Sequence, residues 1–289
     1  MMVIQLIAAA LAVVSPLQQD TTLSVRDGVR LEVYNQRGSV QITTWSRDQV
    51  RVEWDAERGM RVPVRLIGSR LRVRSERIRG GPREVDIQLT IPTWMSVEVS
   101  GTFNDVSMDG VGGEVVVETT QGDIDIRGGR GLVVLRSVHG EIELSEASGR
   151  IRVNTINGDL YLADIEGDLE AETLNGDVEL VNLRSRDVSV NTMNGDVDYD
   201  GTIEDGGRYG FETHNGDVTL FVSRDVNATV SISTARGEFE SQCPVRISGI
   251  RGGREFSFTV GDGSAQVDIR SFGGTIELRS RGGCWPNPR

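Results

Sequence analysis

Lysine is missing from this chain, and all 31 of its basic residues are Arg. We read that as compositional bias rather than a binding device. Aromatic residues are also scarce, at 5%, while glycine is abundant, with 35 residues. That balance suits many tight turns around a thin aliphatic core better than a thick globular one. Histidine occurs only at His139 and His214, and cysteine only at Cys243 and Cys284. Metal centres that need spaced His/Cys clusters are therefore excluded, and neither a nucleophile elbow nor a phosphate-cradling loop is present. No apolar run is long enough to cross a bilayer as a helix. The longest, Val3 to Val14, has 12 residues, short of the roughly 20 needed. Its length fits the apolar core of an export signal over residues 1–20. No Arg precedes it and no small-x-small cleavage site follows, so a buried first strand is the alternative. No Cys lies near enough to suggest a lipid anchor.

The formal net charge is −12, and it is unevenly spread. Through Gly112 there are 14 Arg and 13 acids; from Gly113 onward there are 17 Arg and 30 acids. An acidic second half repels phosphate backbones, which argues against nucleic acid as a partner. In an oxidising compartment Cys243 and Cys284 would form a single disulfide.

What is present is a repeat. From Gly113 to Arg184 the chain cuts every nine residues into GEVVVETTQ, GDIDIRGGR, GLVVLRSVH, GEIELSEAS, GRIRVNTIN, GDLYLADIE, GDLEAETLN and GDVELVNLR. Alternate units match best, so the physical period is 18 residues. Aligned on their glycines, the stronger units place Gly122, Gly140, Gly158, Gly176, Gly195, Gly216, Gly237 and Gly274 in one column. Branched apolar residues stand two and four positions after each glycine, for example Ile124 and Ile126, or Leu160 and Leu162. A period of two is a strand with one face buried. A hydroxyl precedes each glycine by three positions (Thr119, Ser137, Thr155, Thr173, Thr192, Thr213, Thr234, Ser271). Such a column can hydrogen-bond along the stack and to the adjacent turn. Asn-Gly recurs at Asn157, Asn175, Asn194 and Asn215 and suggests a turn with positive φ at the glycine.

Asn-Gly is also a hairpin signal, so an antiparallel meander must be weighed. The constant direction and phase favour coils that wind one way. The expected fold is all-β: a parallel, right-handed β-solenoid with coils of about 18 residues. Residues 21–112 alternate apolar and polar residues without the nine-fold rhythm and form a β-rich N-terminal cap. Eleven Arg lie between Arg47 and Arg83, mostly on alternate positions, and read as a solvated outer face. The repeat array occupies 113–241, and 242–289 supplies closing strands and a frayed tail.

An acid follows most of the glycines: Asp123, Glu141, Asp159, Asp177, Asp196, Asp217 and Glu238. Turn capping by backbone N–H groups is the preferred reading. A calcium ladder is the alternative, although no unit contains the Gly-Gly-x-Gly-x-Asp pattern of calcium β-rolls. Outward pairs such as Asp123/Asp125 and Asp196/Asp198 suggest a β-helical carbohydrate-active enzyme only weakly. Any acidic solenoid generates such pairs, and no aromatic sugar platform accompanies them. The two histidines occupy different columns and read as ordinary turn residues.

The stretches VYNQRGSVQITTWSRDQVRVEW and LTIPTWMSVEVS, followed by recurrent T-x-N-G-D-V-x-L units, resemble the bacterial putative adhesin family of β-strand-repeat proteins. The likeness runs from Leu23 to Ser280. It implies an exported or envelope-associated β-solenoid with no established catalytic residues and no cofactor. The leading expectation is a non-enzymatic binding scaffold whose partner is a protein or envelope component. A self-assembling homo-oligomer is the runner-up and an enzyme the third reading.

Overall fold

The computed structural model describes residues 19–80, 83–251 and 255–285. The apolar run of the expected export signal lies outside the described residues. All regular structure among the described residues is strand and turn. Most strands belong to one stack of parallel coils, and each coil contributes a segment to two hydrogen-bonded columns.

The first column can be followed through one buried residue per coil. In spatial order these are Leu71, Leu31, Val97, Val115, Val133, Ile151, Leu169, Val188, Tyr209, Val267 and Val230. The second column runs Ile87, Val40, Val106, Ile124, Ile142, Leu160, Val178, Val197, Val218, Ile276 and Phe239. Alternation puts these residues inside and their neighbours outside. The two apolar ladders face each other and form a single continuous core. Burying each Val, Leu or Ile contributes about 1.5–3 kcal/mol, so the ladders supply the driving force. The 18-residue offset is literal: Ile124 pairs with Ile142, and Ile142 with Leu160.

The ends depart from the order of the sequence. Parallel stacking does not begin at Gly113, since Arg30–Trp45 and Val97–Val111 are already full coils in both columns. The coil made by Arg70–Arg74 and Val85–Pro92 lies outside the first one. Antiparallel partners close that end: Val64–Ile67 on Arg70–Arg74, and Gln49–Ala56 on Val85–Pro92, with Gln19–Ser24 beyond.

The other end repeats the device. Ala265–Ser271 and Ile276–Arg281 are inserted between the coil containing Tyr209 and Val218 and the one containing Val230 and Phe239. The strand Glu255–Val260 pairs antiparallel with the outer edge of Ala228–Thr234, and Gly249–Arg251 pairs with it in turn. Successive stacking of Gly216, Gly237 and Gly274 is therefore corrected: Gly274 lies on Gly216, and Gly237 lies on Gly274. The chain skips a place and fills it on its return, which a linear spacing cannot reveal. Cys243 and Cys284 are disulfide-bonded across this junction. Trp285 is buried, and its indole N–H donates to the Pro244 carbonyl at 3.2 Å, so the chain is anchored there rather than frayed.

Candidate functional site on the outer columns of the stack

The turn joining the two columns is built from five repeated positions, and each becomes a row along the stack. The hydroxyl row is buried except at Thr234, which is half-buried and accepts from the Gly237 N–H. Its members donate to the glycine carbonyl of the preceding coil: Ser137 to Gly122 at 3.3 Å, Thr155 to Gly140 at 3.3 Å, Thr173 to Gly158 at 3.1 Å, Thr213 to Gly195 at 3.0 Å. A carbonyl inside the turn has no water to accept from, so the hydroxyl satisfies it.

The glycine row has a different cause from the one its Asn-Gly sequence suggests. φ is positive at Gly122 and Gly140 (134° and 154°), but the requirement common to the row is closeness. A Cβ at Gly140 would stand 2.1 Å from the Gly122 oxygen, and one at Gly158 would stand 2.0 Å from the Gly140 oxygen. The left-handed non-glycine residues are instead Glu146, Asp164 and Asn182, in the opposite turn.

Between hydroxyl and glycine stand two exposed rows. One is an amide ladder. Asn175 Nδ2 donates to Asn157 Oδ1 at 2.8 Å, Asn194 to Asn175 at 2.8 Å, and Asn215 to Asn194 at 2.9 Å. His139 Nδ1 extends it, 3.0 Å from Asn157 Nδ2. The other row is apolar, with Ile156, Leu174 and Met193 exposed by 40, 41 and 49%. It ends in His214, stacked on Phe272 with ring centroids 4.6 Å apart. Sequence reasoning missed both rows as surface features, although the x of T-x-N-G is apolar in VHG, ING, LNG and MNG.

The carboxylate row caps. Asp123 Oδ1 accepts from Glu141 N at 3.0 Å, Asp159 from Asp177 N at 2.8 Å, Asp177 from Asp196 N at 2.8 Å, and Asp196 from Asp217 N at 2.7 Å. Each Asp thus holds the turn of the next coil through one carboxylate oxygen. Among the described residues no group of three His, Cys, Asp or Glu is placed to hold a metal.

The two outer sheet faces differ in charge. On the first column, charges pair from coil to coil: Arg136–Glu118 and Arg152–Glu170 at 2.9 Å, Arg208–Asp187 at 2.7 Å and Arg270–Glu212 at 3.6 Å. On the second column the middle outward row reads Asp125, Glu143, Tyr161, Glu179 and Asp198. Asp125, Glu143 and Glu179 are exposed and have no ion-pair partner among the described residues. Of the outward pairs Asp123/Asp125 and Asp196/Asp198, Asp125 and Asp198 lie on the outer face of the sheet, and Asp123 and Asp196 in the turn beside it. An open groove of about 380 Å³ lies elsewhere, between Ser231, Ser233, Glu255, Asp268 and Arg270.

The longer turns after Asn194 are fixed from within. The Tyr199 hydroxyl donates to the Thr202 carbonyl at 3.1 Å, and Tyr209 donates to the Ser185 carbonyl at 2.5 Å. The rings meet edge to face with centroids 6.2 Å apart. Burial pushes the Tyr199 phenol far above its ordinary range, and nearby Tyr209 and Glu204 add to the effect; burial also raises Tyr209. Both phenols act as neutral donors that pin the insertion.

An all-β stack of parallel coils, capped at both ends and carrying its polar chemistry in outer rows, is an architecture of the β-solenoid type. The chain belongs to the family Toastrack DUF4097, whose profile matches residues 29–279. Similar solved structures include a putative adhesin from Bacteroides fragilis, 12% identical, covering 91% of this chain and 98% of that one, TM-score 0.47. A putative adhesin from Parabacteroides distasonis is 11% identical over 90% of this chain and 96% of that one, TM-score 0.48. A putative lipid binding protein from Parabacteroides distasonis is 8% identical over 90% and 96%, TM-score 0.45. No curated protein matches this chain.

Proposed function

We propose that this chain is an exported, non-enzymatic binding scaffold, adhesin-like in role, that engages a basic protein or another cationic envelope component through the carboxylate face of its second column. The observation that carries the reading is the contrast between the two faces. Like charges directly opposite one another across strands are destabilising. Placing an Arg in the row, as the first column does, would relieve that cost. The second column has ion pairs at its margins, Arg127 with Glu146 and Arg281 with Asp200, and Arg279 acts on Asp198, but its middle row keeps Asp125 above Glu143 with no Arg between them. A rigid sheet holds them in a flat array at coil spacing, about 4.8 Å apart. A rigid, like-charged array attracts a complementary surface before contact and selects against acidic ones.

The test has two arms. Fractionation of cells expressing the full chain reads localisation, and a wholly cytoplasmic protein would remove the export reading. For binding, the full chain is used to capture partners from its native envelope. Asp125→Asn, Glu143→Gln, Glu179→Gln and Asp198→Asn combined should abolish capture. A control neutralising Glu118 and Glu170 on the opposite face should leave it intact. Equal capture by both would overturn the assignment to this face.

A further inference from the structure

We propose that copies of this chain dock end to edge: the arginine-rich lobe of one copy, within residues 57–80, seats on the apolar and carboxylate rows of the turn edge of another. This does not depend on the carboxylate face of the second column.

The lobe combines exposed apolar groups with unpaired positive charge. Leu66, Ile67 and Ile78 are exposed by 44, 55 and 65%. Arg58, Arg65, Arg77 and Arg79 are exposed, and none has an ion-pair partner among the described residues. Other arginines of the region are engaged, such as Arg72 with Glu32 and Arg61 with Glu76, so the free ones do not simply neutralise the lobe's own acids.

The turn edge is the complement. Ile156, Leu174 and Met193 form an exposed apolar row, and Asp159, Asp177 and Asp196 run parallel to it across the amide ladder. At about 4.8 Å per coil, the three carboxylates span two coil steps, about 10 Å. Apolar groups meet apolar groups, and guanidinium groups meet carboxylates. Antiparallel strands cover both columns at one end and the first column at the other; the contact proposed here is made by side chains and uses neither end of the strand ladders. The two surfaces lie on different parts of the molecule, so each contact leaves one lobe and one edge free. Such a heterologous contact propagates into an open chain.

Sedimentation of the full chain over a concentration series should show growing species beyond dimer. Raising the salt from low to high should weaken association several-fold, because exposed charges act over about 10 Å at 0.1 M. Ile67→Asp and Met193→Asp replace exposed side chains and should leave circular dichroism unchanged. Each should weaken association by at least about tenfold, or about 1.4 kcal/mol. The decisive sample is an equimolar mixture of the two variants. One retains an intact edge and the other an intact lobe, so the mixture should form a dimer and nothing larger. A wild-type chain that stays monomeric and salt-indifferent overturns the proposal. So does either variant assembling as well as wild type, or a mixture that yields no dimer.

Discussion

Gly158→Ala separates two explanations of the glycine row. If glycine is there for a left-handed turn, alanine should be tolerated at Gly158, where φ lies outside the +20° to +160° range that disfavours side chains. If the cause is the approach of the coil beneath, alanine should be severe. Its Cβ would stand 2.0 Å from the Gly140 oxygen and 2.6 Å from its carbon, whereas non-bonded carbons rest about 3.5–4.0 Å apart. Relief requires the coils to part locally by about 1 Å or more. Three hydrogen bonds span that gap: Gly140 N to Asn157 O at 3.1 Å, Asn157 N to Val138 O at 3.0 Å, and Thr155 Oγ1 to Gly140 O at 3.3 Å. At about 1 kcal/mol each, their loss costs about 3 kcal/mol. That is a large part of the 5–15 kcal/mol that holds a typical domain. Gly206→Ala is the control: its φ is 74° and a Cβ there meets nothing within 4 Å, so only the left-handed cost of about 1–2 kcal/mol applies. Urea unfolding followed by circular dichroism compares the two. A Gly158→Ala protein as stable as Gly206→Ala, or more so, would refute the close-approach argument.

Four further outcomes are expected. Thr173→Val, at a buried hydroxyl that donates to the Gly158 carbonyl, should lose about 1 kcal/mol in urea melts, and Thr173→Ser should recover most of it. Asn175→Ala removes two rungs of the amide ladder; because those rungs are exposed, the loss should stay near or below 1 kcal/mol. Reducing Cys243–Cys284, 41 residues apart, should lower stability by up to about 4 kcal/mol in the chain-entropy model, read as a shift of the urea midpoint with a dithiol present. The buried phenols Tyr199 and Tyr209 have raised folded-state pKa values. Their contribution is therefore complete below the unfolded phenol value of about 10 and is lost above it, because the unfolded chain ionises first. Phenolate absorbance of these two should rise together with alkaline unfolding; a rise in the still-folded protein would refute their burial.

Much of this was legible in the chain because a solenoid turns sequence offset into distance. With 18 residues per coil, Ile124, Ile142 and Leu160 had to stack, and a hydroxyl three residues before each glycine had to reach the turn beneath it. Capping by Asp123, Asp159 and Asp177 could be anticipated for the same reason. The apolar row was less visible. Ile156, Leu174 and Met193 read as turn filler until the coil placed them side by side at the surface. The charge contrast between faces was hidden as well. Arg152 and Glu170 are as far apart in sequence as Asp125 and Glu143, but only the assigned columns show one pair joined and the other left in repulsion.

Sequence alone determined the repeating unit: its two strands, its buried ladders and the rows that finish its turn. Those follow from contacts at a fixed offset, which every coil repeats. Tertiary structure decided the order of the coils at the ends. There Arg30–Trp45 lies inside the coil that follows it, and Ala265–Arg281 inside the coil that precedes it. A parallel strand edge offers the same N–H and C=O groups to any incoming strand. Which strand takes the place depends on what covers the outermost one, and the antiparallel hairpins at each end make that choice.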